Sequence, residues 1–242
     1  MTNNIIHVDF PASLYHKVNT KKKQIVLHHT VSGRGVMGDI GWWKQNPSRI
    51  ATSFIINWDG KTYQLFDSNY WAHHLGITNA VFEEMKVPFT YRRANSGRNI
   101  IDNNITLNEE SIGIEIDAWG GLVRCEKDMK WYPGQWDSNL NRNVPRTNLT
   151  PLPEDRIYFY PNGYRGFFAY ERYTDEQIES TRKILIMLSE KHNIPLKYNS
   201  DMWFVDRKAL MGEPGVWSHT SYRFDKTDAH PQLELVKMLE SL

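Results

Sequence analysis

A histidine closing an apolar strand and a second histidine near the far end of the chain place the strongest constraint on how this sequence folds. The first, His28, ends the run Gln24-Ile25-Val26-Leu27-His28-His29-Thr30, which predicts a buried strand with imidazole at its end. The second, His219, opens a stretch punctuated like a loop, His219-Thr-Ser-Tyr-Arg-Phe-Asp-Lys226-Thr-Asp228-Ala-His-Pro231. Two histidines and one carboxylate (His28, His219, Asp228) give a divalent metal three protein ligands and leave a fourth position for water. That is the open arrangement of hydrolytic zinc sites, as opposed to the closed four-ligand arrangement of structural ones.

The remaining composition narrows the class. The chain of 242 residues is long enough to bury a proper core, and its formal charge of +1 gives no sign of a nucleic-acid footprint. Cys125 is the only cysteine, which excludes an internal disulfide and a cysteine-rich metal site. Residues 1–10 carry no basic n-region or apolar h-region, and no apolar stretch approaches membrane-spanning length. Synthesis in the cytoplasm without a signal peptide is therefore expected, with no membrane insertion. Nine Trp and twelve Tyr are more than a core of this size usually requires; the excess fits a groove whose aromatic faces stack on sugar rings, and it fits plain packing, the default reading, equally well.

The pattern predicts one α/β domain spanning 1–242, with a central mixed β-sheet flanked by helices. Core elements are expected over about 20–76, 108–118 and 174–242, with loop-rich insertions over about 77–107 and 118–172. After the strand ending at His29 comes a Gly-rich turn, then a short helix over 38–46 that stops before Pro47. Ser53–Asn57 and Lys61–Phe66, around Asp59-Gly60, read as a hairpin. Ser111-Ile-Gly-Ile-Glu-Ile-Asp117 alternates, so Ile112, Ile114 and Ile116 share one face and Glu115 points to the other. Thr174-Asp-Glu-Gln177 starts a helix with a capping box that stops near His192-Asn193, and 232–241 forms a second amphipathic helix. The 118–172 stretch concentrates aromatics and carries a Pro-Asn-Gly turn at 161–163. His7, His16, His192 and His230 lack chemical company and are expected at the surface.

Five short motifs, in order, resemble those of the type 2 zinc-dependent N-acetylmuramoyl-L-alanine amidases, a family that includes phage endolysins and peptidoglycan recognition proteins. They are Ile25-Val-Leu-His28-His29-Thr30, Ser53 to Leu65, Ala72-His-His74-Leu-Gly76, Asn108 to Ile116, and His219 to Asp228. The resemblance implies one zinc per chain, held by His28, His219 and Asp228. It implies Glu115 as general base and Lys226 as the oxyanion-stabilising cation. Some members use a hairpin tyrosine as the base; Thr52 stands at that position here and cannot do so. His74 matches a histidine lining the substrate groove, and Asn108, Trp119 and His29 are assigned with it to the substrate side. His29 is expected to face away from the metal or sit behind it.

Each of these residues alone has a bland reading, because a strand-end histidine is usually a satisfied core or surface residue. Glu115 is harder to dismiss, since a buried carboxylate needs a partner, which metal and lysine supply. The resemblance implies cleavage between N-acetylmuramic acid and L-alanine of peptidoglycan by a monomer. The expected setting is an endolysin that acts on the wall after release at host lysis. The alternatives are a cytosolic amidase recycling anhydro-muropeptides, a non-catalytic peptidoglycan-binding protein, and a zinc peptidase cutting within the stem peptide.

Overall fold

The computed structural model describes residues 5–93 and 99–242. Over these, the chain runs β1 (Ile5–His7), β2 (Gln24–His29), α1 (Met37–Gln45), β3 (Phe54–Ile56), β4 (Thr62–Gln64), α2 (Asn79–Glu84), β5 (Tyr91–Arg93), β6 (Asn99–Ile101), α3 (Asp102–Glu110) and β7 (Ser111–Ile116). It continues through β8 (Gly121–Arg124), β9 (Trp131–Asp137), β10 (Arg142–Pro145), β11 (Ile157–Tyr164), β12 (Phe167–Glu171), α4 (Asp175–His192), α5 (Arg207–Leu210), β13 (Gly215–Ser218) and α6 (Leu233–Glu240).

A mixed six-stranded sheet in the order β1-β4-β3-β7-β2-β13 forms the centre, as the sequence predicted. The strands β13, β2, β7 and β3 are mutually parallel, and β4 closes antiparallel on β3. Every residue of β2 is buried, the expected pattern for a parallel strand covered on both faces. Ile25, Leu27, Ile112, Ile114, Ile116, Phe54 and Ile56 pack with Ile178, Ile184, Leu185 and Leu188 of α4 and Leu235 and Leu239 of α6. Helix α4 begins at the predicted capping box, with Thr174 and Gln177 each bonding the other's backbone, and ends at Asn193 in the left-handed conformation. On the opposite face, Ile55 joins Ile40 and Trp43 of α1 in a separate apolar cluster.

Three expectations are corrected. The 118–172 segment is not loop-rich: it forms a five-stranded antiparallel sheet in the order β10-β9-β8-β12-β11. Pro161-Asn162-Gly163 is not a turn between strands but an irregularity inside β11, where the pairing register with β12 shifts between Phe159 and Tyr164. The 77–107 segment likewise carries α2, α3 and the β5–β6 ribbon among its described residues. Proline and glycine inside β9 and β11 mask the alternation that marks a strand in sequence. Among the described residues, no helix is long and apolar enough to cross a membrane.

Candidate active site

Strand register decides which side chains meet. In the parallel β2–β7 pair, His28 lies opposite Glu115, so the two side chains project from the same sheet face. Ser218 at the end of β13 lies opposite Leu27, which delivers His219 beside His28 on the next residue. The loop after His219 then folds back, with Thr220 N donating to Asp228 O at 3.0 Å, and this returns the aspartate to the histidines.

Three buried donor atoms converge there. His28 Nδ1 is 3.0 Å from His219 Nδ1, His219 Nδ1 is 2.8 Å from Asp228 Oδ2, and His28 Nδ1 is 3.3 Å from the same oxygen. Ligands at about 2.0–2.1 Å around a tetrahedral zinc are roughly 3.3 Å apart, so the spacing matches a small divalent cation.

The proton positions also fit. His219 Nε2 lies 2.9 Å from Leu75 O, which can only accept, so His219 carries its proton on Nε2. Ser111 Oγ donates to Leu107 O at 2.6 Å and therefore accepts from His74 Nε2 at 2.8 Å. His74 Nδ1 is then an acceptor and takes the proton of His28 Nε2 at 3.0 Å. Both Nδ1 atoms thus turn lone pairs toward the Asp228 carboxylate, and three acceptors facing one another call for a positive charge between them. Burial, reinforced by His219, lowers the His28 pKa to about 4, which keeps its imidazole neutral as a metal ligand must be. Among the described residues this is the only cluster of its kind.

Glu115 stands beside the cluster with Oε2 buried and, among the described residues, without a hydrogen-bond partner. Burial, then the charges of Asp228 and Asp39, push its carboxyl well above the ordinary range, with Lys226 acting in the opposite direction. A divalent cation at the three donors would favour its ionised form. Lys226 is half-buried, and its charge is felt at both His28 and Glu115. Thr52 is buried, and its hydroxyl donates to Phe54 O at 3.0 Å, so it offers no alternative base.

Several residues assigned to substrate lie elsewhere. His29, one position along β2 from His28, faces the opposite side of the sheet and is buried. Its Nδ1 is hydrogen-bonded to Tyr173 Oη at 2.9 Å. Asn108 is fully buried, and its Oδ1 accepts from the backbone N–H of His74 at 2.8 Å and of Leu75 at 3.2 Å. It shapes the segment whose His74 ring and Leu75 O contact His28 and His219, and it has no free face for a ligand. His74 is half-buried and spends both ring nitrogens on His28 and Ser111, so its hydrogen bonds orient His28. Trp119 is half-buried, with its backbone N–H on Glu171 Oε2 at 2.8 Å and Arg146 stacked over its ring.

Of the histidines expected at the surface, His7 is exposed. His230 is instead fully buried between Tyr170 and Tyr173, with ring centroids 4.6 and 4.3 Å away. His16 stacks on Trp71 at 3.7 Å, and His192 pairs with Ser68 Oγ at 2.8 Å.

Gly113 makes the His28–His74 contact possible. A Cβ there would lie 2.6 Å from Thr52 Cγ2 and 3.1 Å from His74 Nδ1. Gly113→Ala is expected to lower unfolding stability by about 1–3 kcal/mol, the usual cost of overpacking, as measured by denaturant titration. Its zinc affinity should fall as well, because the displaced ring is the one that orients His28.

The sequence of residues 19–231 matches the family model described as N-acetylmuramoyl-L-alanine amidase. The chain belongs to that family. No curated protein matches it. Among solved structures, it is similar to the N-acetylmuramoyl-L-alanine amidase LysC from Clostridium intestinale, at 13% identity over 98% of this chain and 95% of that one, with a TM-score of 0.46. A mutant endolysin from Bacillus subtilis shares 17% identity over 99% and 98%, with a TM-score of 0.48. A selenomethionine derivative of AmpD shares 14% over 99% and 96%, with a TM-score of 0.47. These likenesses are distant, and family membership rests on the sequence match.

Proposed function

We propose that this amidase hydrolyses the bond between N-acetylmuramic acid and L-alanine in peptidoglycan with one zinc held by His28, His219 and Asp228. The observation carrying this reading is the convergence of three proton-free donor atoms at 2.8–3.3 Å beside a carboxylate with an unpartnered oxygen. Zinc held there would supply a lowered pKa for water, toward about 7, and a polarised substrate carbonyl. Glu115 accepts the proton of the attacking water and returns it to the departing amide nitrogen of L-alanine. Lys226 sets its ammonium beside the developing oxyanion, a contribution of roughly 3–4 kcal/mol in comparable sites. His74 and Leu75 O hold the two imidazoles in the tautomer that this task requires.

The second sheet favours a polymeric substrate over a soluble fragment, and with it the endolysin setting, in which the protein meets the wall after release. Trp136 is 60% exposed and Phe168 62%, and flat aromatic faces open to solvent suit stacking on a glycan. We take 1–242 as one catalytic unit, with this sheet as part of it. Zinc-loaded protein should therefore release peptides from intact peptidoglycan faster than it cleaves a soluble anhydro-muropeptide, and a strong chelator should stop both. Trp136→Ala with Phe168→Ala should weaken pelleting with insoluble peptidoglycan several-fold while stability stays within about 0.5 kcal/mol. A preference for the soluble fragment would turn the reading toward a recycling amidase. Chelator-insensitive cleavage would remove the metal from the mechanism.

A further inference from the structure

The loop that returns Asp228 to the histidines is held from outside by the second sheet, at the tip of its β11–β12 hairpin. Arg165 Nε donates to Lys226 O at 2.8 Å, and its Nη2 donates to Arg223 O at 2.7 Å. The same two residues are linked to each other, with Lys226 N on Arg223 O at 3.5 Å. One guanidinium therefore fastens both ends of the turn that presents Lys226. Next to it, Tyr164 Oη donates to Trp203 O at 3.0 Å and lies 3.5 Å from Ala229 O, immediately after Asp228. Tyr170 in turn anchors the tip, with its Oη donating to Tyr164 O at 3.1 Å.

The turn is an unusual place for arginine. Arg165 (φ +48°) and Gly166 (φ +86°) sit between the paired residues Tyr164 and Phe167 and both adopt left-handed backbone, as a two-residue type I′ hairpin turn demands. Asparagine, aspartate or glycine suits the first of those positions, whereas a long side chain with a Cβ does not. The local backbone therefore gains nothing from arginine, and the two carbonyls on the Lys226 loop are where its guanidinium makes its bonds.

We infer that Arg165 is a positioning residue for the reaction, fixing the Arg223–Asp228 loop so that Lys226 and Asp228 meet the histidine pair in register. The inference rests on the roles proposed above for Lys226 and Asp228. It gives the second sheet a task beyond any contact with glycan, because the hairpin tip forms part of the support of the catalytic loop.

The test uses Arg165→Asn, which suits the turn and removes the guanidinium, with Arg165→Lys as a partial replacement. On a soluble muramoyl-peptide, Arg165→Asn should lower kcat about 10- to 100-fold with KM within about twofold, since misplacement of a group acting in the transition state is felt in turnover. Its thermal midpoint should be unchanged or higher, and Arg165→Lys should recover part of kcat. Amide hydrogen exchange over 223–229 should accelerate in Arg165→Asn while the β2 and β7 amides stay protected. Arg165→Asn combined with Lys226→Ala should lose less than the product of the two single losses, because the clamp acts in part through Lys226. Parental kcat, unchanged exchange in the loop, or multiplicative losses in the double variant would each overturn the clamp. Lys226→Ala with parental kcat would instead sink the role given to Lys226. A loss in Lys226→Ala with none in Arg165→Asn would remove the clamp and leave that role standing.

Discussion

Glu115→Gln should keep the fold and the zinc while losing about 10²–10⁴-fold in turnover, the range for removal of a general base. The substitution is nearly isosteric, so the strand pairing that sets Glu115 opposite His28 stays in place. What it removes is the ability of Oε2 to take a proton. Among the described residues that oxygen is buried with no partner, and the charge of Lys226 acts to favour the ionised form of this carboxyl. No neighbour stands ready to replace it, because the hydroxyl of Thr52 is committed to Phe54 O. Steady-state kinetics together with metal analysis of the same preparation decide the matter. Near-parental kcat at full zinc occupancy would assign the base to another residue.

Single removal of a ligand should be equally severe and should separate from neighbouring substitutions by a clear margin. His28→Ala and Asp228→Ala each leave two donors of three, and both are expected to lose stoichiometric zinc and to fall to background turnover. The parent protein should gain stability on zinc addition, by about 2.7 kcal/mol at a hundredfold excess over Kd, and the two variants should not. His29→Ala provides the contrast. It lies one residue away but on the other sheet face, where its Nδ1 is hydrogen-bonded to Tyr173 Oη. That variant should keep zinc and lose stability by roughly 1–3 kcal/mol, since it removes one of the buried hydrogen-bond partners of the Tyr173 hydroxyl. Full zinc loading in Asp228→Ala would take the aspartate out of the ligand set.

Much of this arrangement was legible in the sequence because it depends on periods of two residues. The alternation in Ser111–Asp117 separated Glu115 from the isoleucines, and the buried run ending at His28 identified the strand that pairs with it. The capping box at Thr174 fixed the start of α4 for an equally local reason. The second sheet escaped because Pro133, Gly134, Pro161 and Gly163 lie inside its strands, where they read as breakers. The supports of the site escaped for a different reason. Leu75 O acts through its backbone, and Asn108 and Arg165 act on backbone atoms of other residues, so nothing in their identity announces the partner. His230, placed at the surface by its loop-like neighbours, is buried by tyrosines that lie 57 to 70 positions away in the chain.

Mass spectrometry of purified peptidoglycan digested by the zinc-loaded protein tests the proposed reaction most directly. Hydrolysis of the muramoyl–alanine bond predicts intact glycan strands and free stem peptides beginning with L-alanine, with no peptide released when a chelator is present. Peptides cut within the stem, or binding to the polymer with no released product, would contradict it.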